Sequence, residues 1–304
     1  RLCAACLRPI ALPMTDKKSE RDLSDRKFYP ADKEAEFEKT QLQTPQTAHP
    51  AYKLAFQDTD FLLRDELRPV RFQLELLKPE MPLDEAGVGS TLVMYGSARI
   101  PPEDACEAAL EGAKDLPEDE RRVVENLVKK SKYYTEAYKL ARIASERSII
   151  ENGKRQFVVF SGGGPSIMEA ANKGASDAGA ESVGLNIILP HEQAPNQYVT
   201  PYLSLNFHYF ALRKMHFLLR AKAVAVFPGG FGTFDEFFEL LTLIQTGKMK
   251  PMPILLFGKD FWTRVIDFEA LADEGTISRK DLDLFRWCED AQEAWDHISA
   301  FYEL

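Results

Sequence analysis

The chain has 304 residues, of which 45% are hydrophobic and 28% charged, and this composition is typical of a globular protein. The formal net charge of -9 argues against general nucleic-acid binding, because phosphate backbones attract basic surfaces, although local groups can still hold one small phosphate. Four cysteines are too few for a disulfide scaffold and favour a reducing cytoplasm, and no apolar run is long enough for a membrane span.

Residues 1–50 are predicted to form a flexible extension, because the chain after Met14 is charged and has few apolar anchors. Met14 is also an expected natural start, which residues 1–13 would precede. Charge and proline break the short apolar stretch at the beginning, which argues against a signal peptide. Cys3 and Cys6 form a C-x-x-C pair, but no second pair or histidine cluster follows, so we interpret the pair as incidental rather than as half of a zinc site.

Residues 51–87 are predicted to form a helical extension packed on the core. Apolar residues recur there at helical intervals, with an interruption near Pro69, which indicates two helices. The alternative, that these helices form a surface for a partner, stays open.

Residues 88–304 alternate short apolar strands with helices. This pattern predicts an α/β fold with a Rossmann-like, doubly wound parallel sheet and helices on both faces. The predicted strands cover residues 91–95, 156–160, 182–190, 202–207, 223–227 and 252–258. The predicted helices cover residues 131–148, 166–179, 210–222 and 233–246, a segment from residue 260, and residues 291–304.

Glycine-bearing loops follow three of the predicted strands. In doubly wound folds, ligands bind beyond the carboxyl ends of the strands, so we expect the three loops to line one cleft for a phosphate. The residues that we expect to contribute are Gly96 and Ser97, then Gly162, Gly163 and Gly164, and finally Gly229, Gly230 and Gly232.

The second and third of these loops each precede a helix, whose free N–H groups and positive dipole end suit an anion. Ser166 with Glu169, and Thr233 with Glu236, also match the S/T-x-x-E capping box, so an alternative structural explanation exists for both glutamates. The third loop has more glycine than a turn needs, which favours close approach to a ligand. Neither loop matches an ATPase P-loop or a full dinucleotide motif.

A basic pair, Arg213 and Lys214, lies on the helix before the third loop. Such a pair is usually a solvated surface feature, but the next strand leads directly to the glycines, and an arginine can contact phosphate in a bidentate manner. His208 and His216 are interpreted as ordinary helix or loop histidines.

These motifs resemble those of the LOG proteins, the cytokinin riboside 5′-monophosphate phosphoribohydrolases once mislabelled lysine decarboxylases. The family signature PGG-x-GT-x-x-E is complete from Pro228 to Glu236, and the R-K pair of the preceding helix is matched by Arg213 and Lys214. The resemblance covers residues 88–304, and the N-terminal segment resembles that of the longer bacterial members.

The resemblance implies hydrolysis of a nucleoside 5′-monophosphate to a free base and ribose 5-phosphate, with Arg213 and Glu236 as the catalytic pair. Gly229, Gly230, Gly232 and Thr233 would hold the 5′-phosphate, Glu169 would contact ribose hydroxyls, and Lys214 would help to bind the substrate. The family implies a homodimer or a multiple of dimers and no metal or organic cofactor. We expect neither a nucleic-acid nor a membrane partner.

Other functions remain open at this stage. A non-catalytic nucleotide-binding or carrier protein can share the fold. A decarboxylase would need a lysine that binds pyridoxal phosphate, and no lysine here has a distinctive setting for it. A structural protein built around the N-terminal helices leaves the glycine loops unexplained. The preferred base is also open, because the stretch from Phe210 to Leu212 departs from the M-H that shorter members carry before the R-K pair.

Overall fold

The computed structural model describes residue 28, residues 30–189 and residues 194–304. The expectations about Met14 and about the pair of Cys3 and Cys6 therefore lie outside the described residues. By its internal contacts the chain divides into two units, Arg1–Leu67 and Arg68–Leu304. Among the described residues, no helix is long and apolar enough to cross a membrane.

The described part of the first unit contains two α-helices, α1 (Ala31–Lys39) and α2 (Thr59–Leu62), together with short 3-10 turns. The Asp58 side chain accepts a hydrogen bond from the Phe61 N–H at 3.1 Å and so caps α2. Neither helix contains a buried residue. The flexible character of residues 1–50 and the other sequence-based domain boundaries stay predictions.

The second unit begins with helix α3 (Arg68–Glu85). Pro69 lies in its first turn, where the helix has no use for a backbone N–H, so the expected interruption near this residue is the start of α3. Pro79 and Pro82 lie inside the helix, and Pro79 and Leu83 are buried. The predicted helical extension thus ends in a long helix that belongs, by its contacts, to the second unit.

The second unit is built on a seven-stranded sheet with the order β6-β5-β4-β1-β7-β8-β9, and every pairing in it is parallel. A separate antiparallel hairpin joins β2 and β3. In chain order, the strands are β1 (Thr91–Tyr95), β2 (Ile150–Glu151), β3 (Lys154–Arg155), β4 (Val158–Ser161), β5 (Val183–Ile187), β6 (Ser204–Phe207), β7 (Ala221–Val226), β8 (Ile254–Phe257) and β9 (Arg286–Cys288).

Helices cover both faces of the sheet. Alternate residues of β1 show this arrangement: Leu92 and Met94 belong to one apolar core, and Val93 and Tyr95 to the other. The remaining helices are α4 (Cys106–Gly112), α5 (Glu118–Val128), α6 (Lys132–Glu146), α7 (Ile167–Asp177), α8 (Phe210–Leu219), α9 (Phe231–Gln245), α10 (Lys259–Val265), α11 (Phe268–Asp273) and α12 (Ala291–Tyr302).

The first core contains residues of α6, α7 and α12, and the second contains residues of α3, α8 and α9. The doubly wound α/β fold is therefore confirmed. The sequence pattern did not reveal the β2–β3 hairpin, the short helices α4, α5 and α11, or the edge strand β9, whose three residues are too few for a periodic signal.

The order of the strands creates a switch point in the middle of the sheet. From β1 the chain moves outward through β4, β5 and β6, and then returns to place β7 on the other side of β1. Crevices at such points lie at the carboxyl ends of the strands and bind ligands in doubly wound folds. The loops after β4, β1 and β7 are the three glycine loops.

Candidate functional site

The three glycine loops lie side by side because their strands are neighbours in the sheet. Ser97 connects them. Its backbone N–H donates to the carbonyl of Pro228 in the third loop at 3.1 Å, and its carbonyl accepts from the Ile167 N–H beside the second loop at 3.3 Å. The structure thus brings together the backbone segments that the sequence analysis assigned to one cleft. A Cβ added at Gly96 would lie within 2.9 Å of three Ile167 side-chain atoms, so packing against α7 requires glycine there.

The second loop, residues 161–165, packs tightly against its surroundings. A Cβ at Gly162 would lie 2.8 Å from an Arg213 guanidinium nitrogen and 2.7 Å from the Met168 sulfur. Gly163 has a φ of 73° and would place a Cβ against the Asn186 side chain. Both glycines are therefore explained by neighbouring protein atoms, and Gly162 leaves the space that Arg213 occupies.

A buried polar network holds this loop. The Ser161 hydroxyl accepts from the Gly163 N–H at 3.0 Å and donates to Asn172 Oδ1 at 2.6 Å. Asn196 Nδ2 donates to the same Asn172 oxygen at 2.9 Å, to the Gly163 carbonyl at 3.1 Å and to the Gly164 carbonyl at 2.9 Å. Neither asparagine is among the residues predicted from the sequence. No local motif marks them, because the network joins residues that lie far apart in the chain.

The third loop, residues 228–232, has open space beside two of its glycines, whereas protein atoms fill the corresponding space in the second loop. Gly229 packs against the side chain of Thr233, which is buried. In contrast, a Cβ at Gly230 or Gly232 would meet no other atom within 4 Å. No side chain caps the first N–H groups of α9, and Phe231 between the two glycines is 96% exposed.

Neither predicted capping box forms. Helix α9 begins at Phe231, two residues earlier than expected, so Thr233 lies within the helix, and no side chain caps it. Helix α7 also lacks a side-chain cap. Ser166 has a φ of 64°, and its hydroxyl donates instead to the Ile100 carbonyl at 2.6 Å. The S/T-x-x-E pattern fails because it encodes spacing only, whereas this backbone conformation turns the hydroxyl away from the helix N–H groups.

The two glutamates of these patterns consequently have other partners. Glu169 accepts a hydrogen bond from the Tyr134 hydroxyl at 3.2 Å. Glu236 lies with one carboxylate oxygen 3.4 Å from a terminal guanidinium nitrogen of Arg213. Both members of this pair are largely buried, with side-chain exposures of 11% for Arg213 and 14% for Glu236.

The Arg213 side chain is held on several sides. Its Nε donates to the Leu185 carbonyl in β5 at 2.7 Å. The guanidinium also lies 5.1 Å from the centre of the Phe217 ring, within the range of a cation–π interaction. Together with the space left by Gly162, these contacts direct the guanidinium toward Glu236.

Burial raises the pKa of Glu236 to about 7, although the positive charge of Arg213 acts in the opposite direction. Asp235 contributes a smaller upward shift of the pKa. A carboxyl group with such a pKa exchanges a proton near neutral pH, which is a property of general acids and bases. Tyr95, at the end of β1, is buried nearby, and burial together with the charge of Glu236 raises its pKa well above the usual range.

Lys214 points to a different set of carboxylates. Its ammonium group lies 3.0 Å from Asp235 and 3.1 Å from Glu239, and only 17% of the side chain is exposed. Burial acts to lower the pKa of Lys214, but these two hydrogen-bonded carboxylates raise it overall. The two residues of the R-K pair thus have different partners. The buried arginine contacts Glu236, and the lysine lies at the edge of the site.

Elsewhere the described residues offer no comparable chemistry. No group of three or more His, Cys, Asp or Glu among them could hold a metal ion. A cavity of about 1060 Å³ lies along β8 and β9 and is lined by residues such as Phe268, Trp287 and Phe301, but it contains none of the predicted site residues. The class defined by fold and site is a doubly wound α/β protein with an Arg–Glu pair beside an open glycine loop.

Comparisons with known proteins agree with this class. A family profile described as "Possible lysine decarboxylase" matches residues 168–298, which contain Arg213 and Glu236. The chain is 28% identical over 153 residues to "Cytokinin riboside 5'-monophosphate phosphoribohydrolase LOG2" of Arabidopsis thaliana, a match that covers 49% of this chain and 67% of the relative. Over the part that carries these two residues, the chain is therefore similar to the LOG family.

Solved structures also show likeness at low identity. The X-ray structure of TM1055 is 19% identical, covers 69% of this chain and 99% of its own, and has a TM-score of 0.41. Two structures of a molybdenum cofactor carrier protein from Chlamydomonas reinhardtii are each 16% identical. They cover 57% and 71% of this chain and 89% and 99% of their own, with TM-scores of 0.37 and 0.38. The fold class rests on the strand order of the chain itself.

Proposed function

We propose that this protein hydrolyses the N-glycosidic bond of a nucleoside 5′-monophosphate, AMP or an N6-modified AMP such as a cytokinin riboside monophosphate, to the free base and ribose 5-phosphate. The observation that carries the proposal is the buried pair of Arg213 and Glu236, 3.4 Å apart, beside an open glycine loop. Similarity to the LOG family supports the reaction class, because the Arabidopsis relative is named as such a hydrolase.

The third loop is the proposed phosphate site. Gly230 and Gly232 leave space beside the first turn of α9, where backbone N–H groups and the positive end of the helix dipole attract an anion. Gly229 lets the loop pack on Thr233, which keeps the turn close to the helix. Gly96, Ser97 and the second loop would form the opposite wall of the cleft.

Glu236 is the proposed catalytic carboxylate. It lies in the second turn of α9, close to where the ribose of a phosphate-anchored nucleotide would be. Cleavage of the C1′–N bond moves the bonding electron pair to the base and leaves an oxocarbenium-like sugar, which a nearby carboxylate stabilises. Ionised Glu236 would also accept a proton from the water whose oxygen forms the new bond to C1′, and one proton is returned to the base nitrogen, so that the neutral free base leaves.

Arg213 is proposed to stabilise negative charge on the phosphate or the departing base, and it holds Glu236 in place. Glu169 would contact the ribose hydroxyls, although Tyr134 already binds one of its oxygens. Lys214 is proposed to contribute to substrate binding from the edge of the site, where Asp235 and Glu239 hold it.

The setting of Lys214 argues against a decarboxylase. A lysine that forms a Schiff base is favoured by a lowered pKa, whereas the two carboxylates beside Lys214 raise it. No lysine is buried among the residues that the structure describes. The absorbance spectrum of the purified protein with added pyridoxal phosphate tests this conclusion, since a decarboxylase would develop a Schiff-base band.

We further propose that the protein forms a homodimer in the cytoplasm. Support for association comes from apolar side chains that α3 and α8 expose, among them Leu77 and Met81 on α3 and Met215 and Leu219 on α8. Light scattering of the full chain tests the oligomeric state. The cytoplasmic location rests on the cysteine content alone.

The deciding experiment incubates the purified protein with AMP and follows free adenine by chromatography. We expect adenine from the wild type and none from Glu236→Ala, whereas Glu85→Ala, at an exposed glutamate of α3, should retain the wild-type rate. Full turnover by Glu236→Ala would remove the proposed role of this carboxylate. Binding of AMP without turnover of any nucleotide in a panel would favour the carrier function instead.

The same assay with adenosine tests the phosphate site. Phosphate binding supplies remote binding energy that aligns the sugar, so the nucleoside should be a much poorer substrate than AMP. Comparable rates would contradict the assignment. A panel of N6-modified AMPs and other purine monophosphates would then establish the preferred base and separate cytokinin production from nucleotide salvage.

A further inference from the structure

Helix α3 reaches the start of α8, the helix that carries Arg213. The Glu75 carboxylate accepts two backbone hydrogen bonds there, from the His208 N–H at 2.8 Å and from the Tyr209 N–H at 3.1 Å. Tyr209 is the N-cap residue of α8, and its own side chain makes no cap bond. Glu75 therefore binds the N-cap N–H of α8 from another helix, as the glutamate of a capping box does within one helix, and its negative charge lies at the positive end of the α8 dipole.

Other contacts fix α3 along the whole of α8. At the start of α8, the Phe72 ring stacks on the Tyr209 ring with centroids 4.1 Å apart. Near its end, the buried His216 ring lies with one nitrogen 3.2 Å from the Glu80 carboxylate and the other 3.2 Å from the Glu75 carbonyl. Arg220 donates to Glu80 at 2.6 Å. The position of α8 along its own axis thus depends on α3.

Arg213 is one helical turn from the cap. Its backbone N–H donates to the Tyr209 carbonyl at 3.1 Å, so the capped residue and Arg213 share the first hydrogen bond of the helix. The guanidinium meets Glu236 at 3.4 Å, close to the limit of a hydrogen bond, and it occupies the space that Gly162 leaves free of a side chain. A small shift of the start of α8 would therefore break the contact between Arg213 and Glu236.

We propose that Glu75 is a positioning residue of the candidate active site, which caps α8 and thereby holds Arg213 against Glu236. Helix α3, which the sequence predicted as part of a helical extension packed on the core, then forms part of the catalytic framework. The expected change in activity rests on the proposed function, whereas the expected change in the titration of Glu236 does not.

Ionisation of Glu236 reports on the position of Arg213. The charged groups that influence Glu236 are Arg213 and Lys214 on α8, Asp235 and Glu239 on α9, and, when ionised, Tyr95 on β1. Arg213 exerts the largest downward effect on the pKa of Glu236. If Arg213 withdraws while the carboxyl stays buried, the pKa of Glu236 must rise.

The test follows the titration of Glu236 by carbon-13 NMR of the side-chain carboxyl in the full-length protein, with the signal assigned by its loss in Glu236→Gln. Compared with the wild type, Glu75→Ala should raise the pKa of Glu236 by about one unit. Glu75→Gln should give an intermediate rise, because its amide oxygen can still accept one of the two backbone N–H groups. Glu85→Ala, at an exposed position of the same helix, is the matched control and should titrate like the wild type.

The second readout is AMP hydrolysis over pH. Glu75→Ala should lower kcat by about tenfold to a hundredfold with a smaller change in KM, and the pH at which activity appears should move upward with the titration. Wild-type titration of Glu236 in both Glu75 variants, or in Glu75→Gln alone if the alanine variant does not fold, would overturn the proposal. A fall in activity with an unshifted titration would do the same, because it would indicate a structural effect only. If the wild type itself does not hydrolyse AMP, the proposed function fails, while the NMR titration still decides the role of Glu75.

Discussion

The second and third glycine loops have similar sequences and different structures. Both connect a central strand to a helix, and both are rich in glycine. In the loop of residues 161–165, protein atoms fill the space beside Gly162 and Gly163. Hydrogen bonds of the Asn172 and Asn196 side chains hold this loop in place. In the loop of residues 228–232, two glycines face open space. A glycine-rich loop is therefore no evidence of a ligand until its surroundings are known.

The difference suggests separate roles in one cleft. The second loop serves as a support, since it leaves space for Arg213 and is itself fixed by a buried network. The third loop precedes a helix that no side chain caps, and it is the loop that we propose to bind the phosphate. Substitutions in the two loops should accordingly differ in whether they change stability, turnover or binding.

The largest effect is expected from Gly162→Ala in the supporting loop. The added methyl would meet Arg213 and Met168 at less than 3 Å, so one of them must move. Overpacking of this kind costs about 1–3 kcal/mol of stability, and displacement of Arg213 should lower kcat for AMP hydrolysis by about a hundredfold. Denaturant unfolding and steady-state kinetics measure the two effects, and a variant with wild-type kcat would show that Arg213 tolerates displacement.

A second large effect concerns Glu236, on the helix after the open loop, and it depends on pH. The folded-state pKa of about 7 lies above the ordinary value of 4.5, so the folded protein binds the extra proton between these values and its stability falls as pH rises through that window. Glu236→Gln removes this penalty. At pH 8 we expect the variant to be more stable than the wild type by up to about 3 kcal/mol, and by much less at pH 4.

Urea unfolding at the two pH values measures this difference. Glu85→Gln controls for the loss of one negative charge at an exposed position. Equal stability of Glu236→Gln and the wild type at both pH values would show that Glu236 has an ordinary pKa. Activity should change in the opposite sense, since the proposed base is the ionised form and hydrolysis by the wild type should therefore increase through pH 7.

Asn172→Ala tests the support of the second loop. The substitution removes the acceptor shared by Ser161 and Asn196 and leaves buried polar groups unsatisfied, which costs about 1–3 kcal/mol. We expect the free energy of unfolding to fall clearly, while KM for AMP changes only a little. The matched control is Asn126→Ala on the surface helix α5. Asn152 is not suitable as a control, because it has a positive φ. Unfolding that does not differ between the two variants would mean that the network contributes little.

The smallest change in stability is expected from Gly232→Ala, in the open loop. Gly232 is the second residue of α9, and alanine there is favoured over glycine by up to about 1 kcal/mol. Its methyl group would, however, occupy the space proposed for the phosphate. We expect an unchanged or higher melting temperature together with a raised KM for AMP. An unchanged KM would mean that the phosphate binds elsewhere, and it would contradict the separate functional roles of the two loops.

The sequence alone predicted most of the fold for simple reasons. Alternation of short apolar runs and amphipathic segments is a local pattern, and it correctly indicated a parallel sheet covered on both faces. The carboxyl ends of parallel strands lie at the same edge of the sheet. The glycine loops after β1, β4 and β7 were therefore expected to lie together at that edge. The complete signature from Pro228 to Glu236 indicated a resemblance to the LOG family, and the comparisons support that resemblance.

The same local reasoning failed where a side chain has a distant partner. Ser166 and Thr233 have the spacing of capping residues, but a positive φ at one and an earlier helix start at the other give them different roles. The pairing of Arg213 with Glu236, rather than with solvent, depends on the register between α8 and α9. No spacing within either helix contains that information.

What the sequence by itself determined is therefore the class of fold, the order of its loops and the residue types available for chemistry. Only the tertiary structure decided which glycines face protein and which face open space, that burial shifts the pKa of Glu236 toward neutrality, and that Glu75 of α3 caps the helix of Arg213. The physical reason is the range of the interactions. Periodicity and turn preference act between near neighbours in the chain, whereas packing, desolvation and capping in trans join residues that only the folded chain brings together.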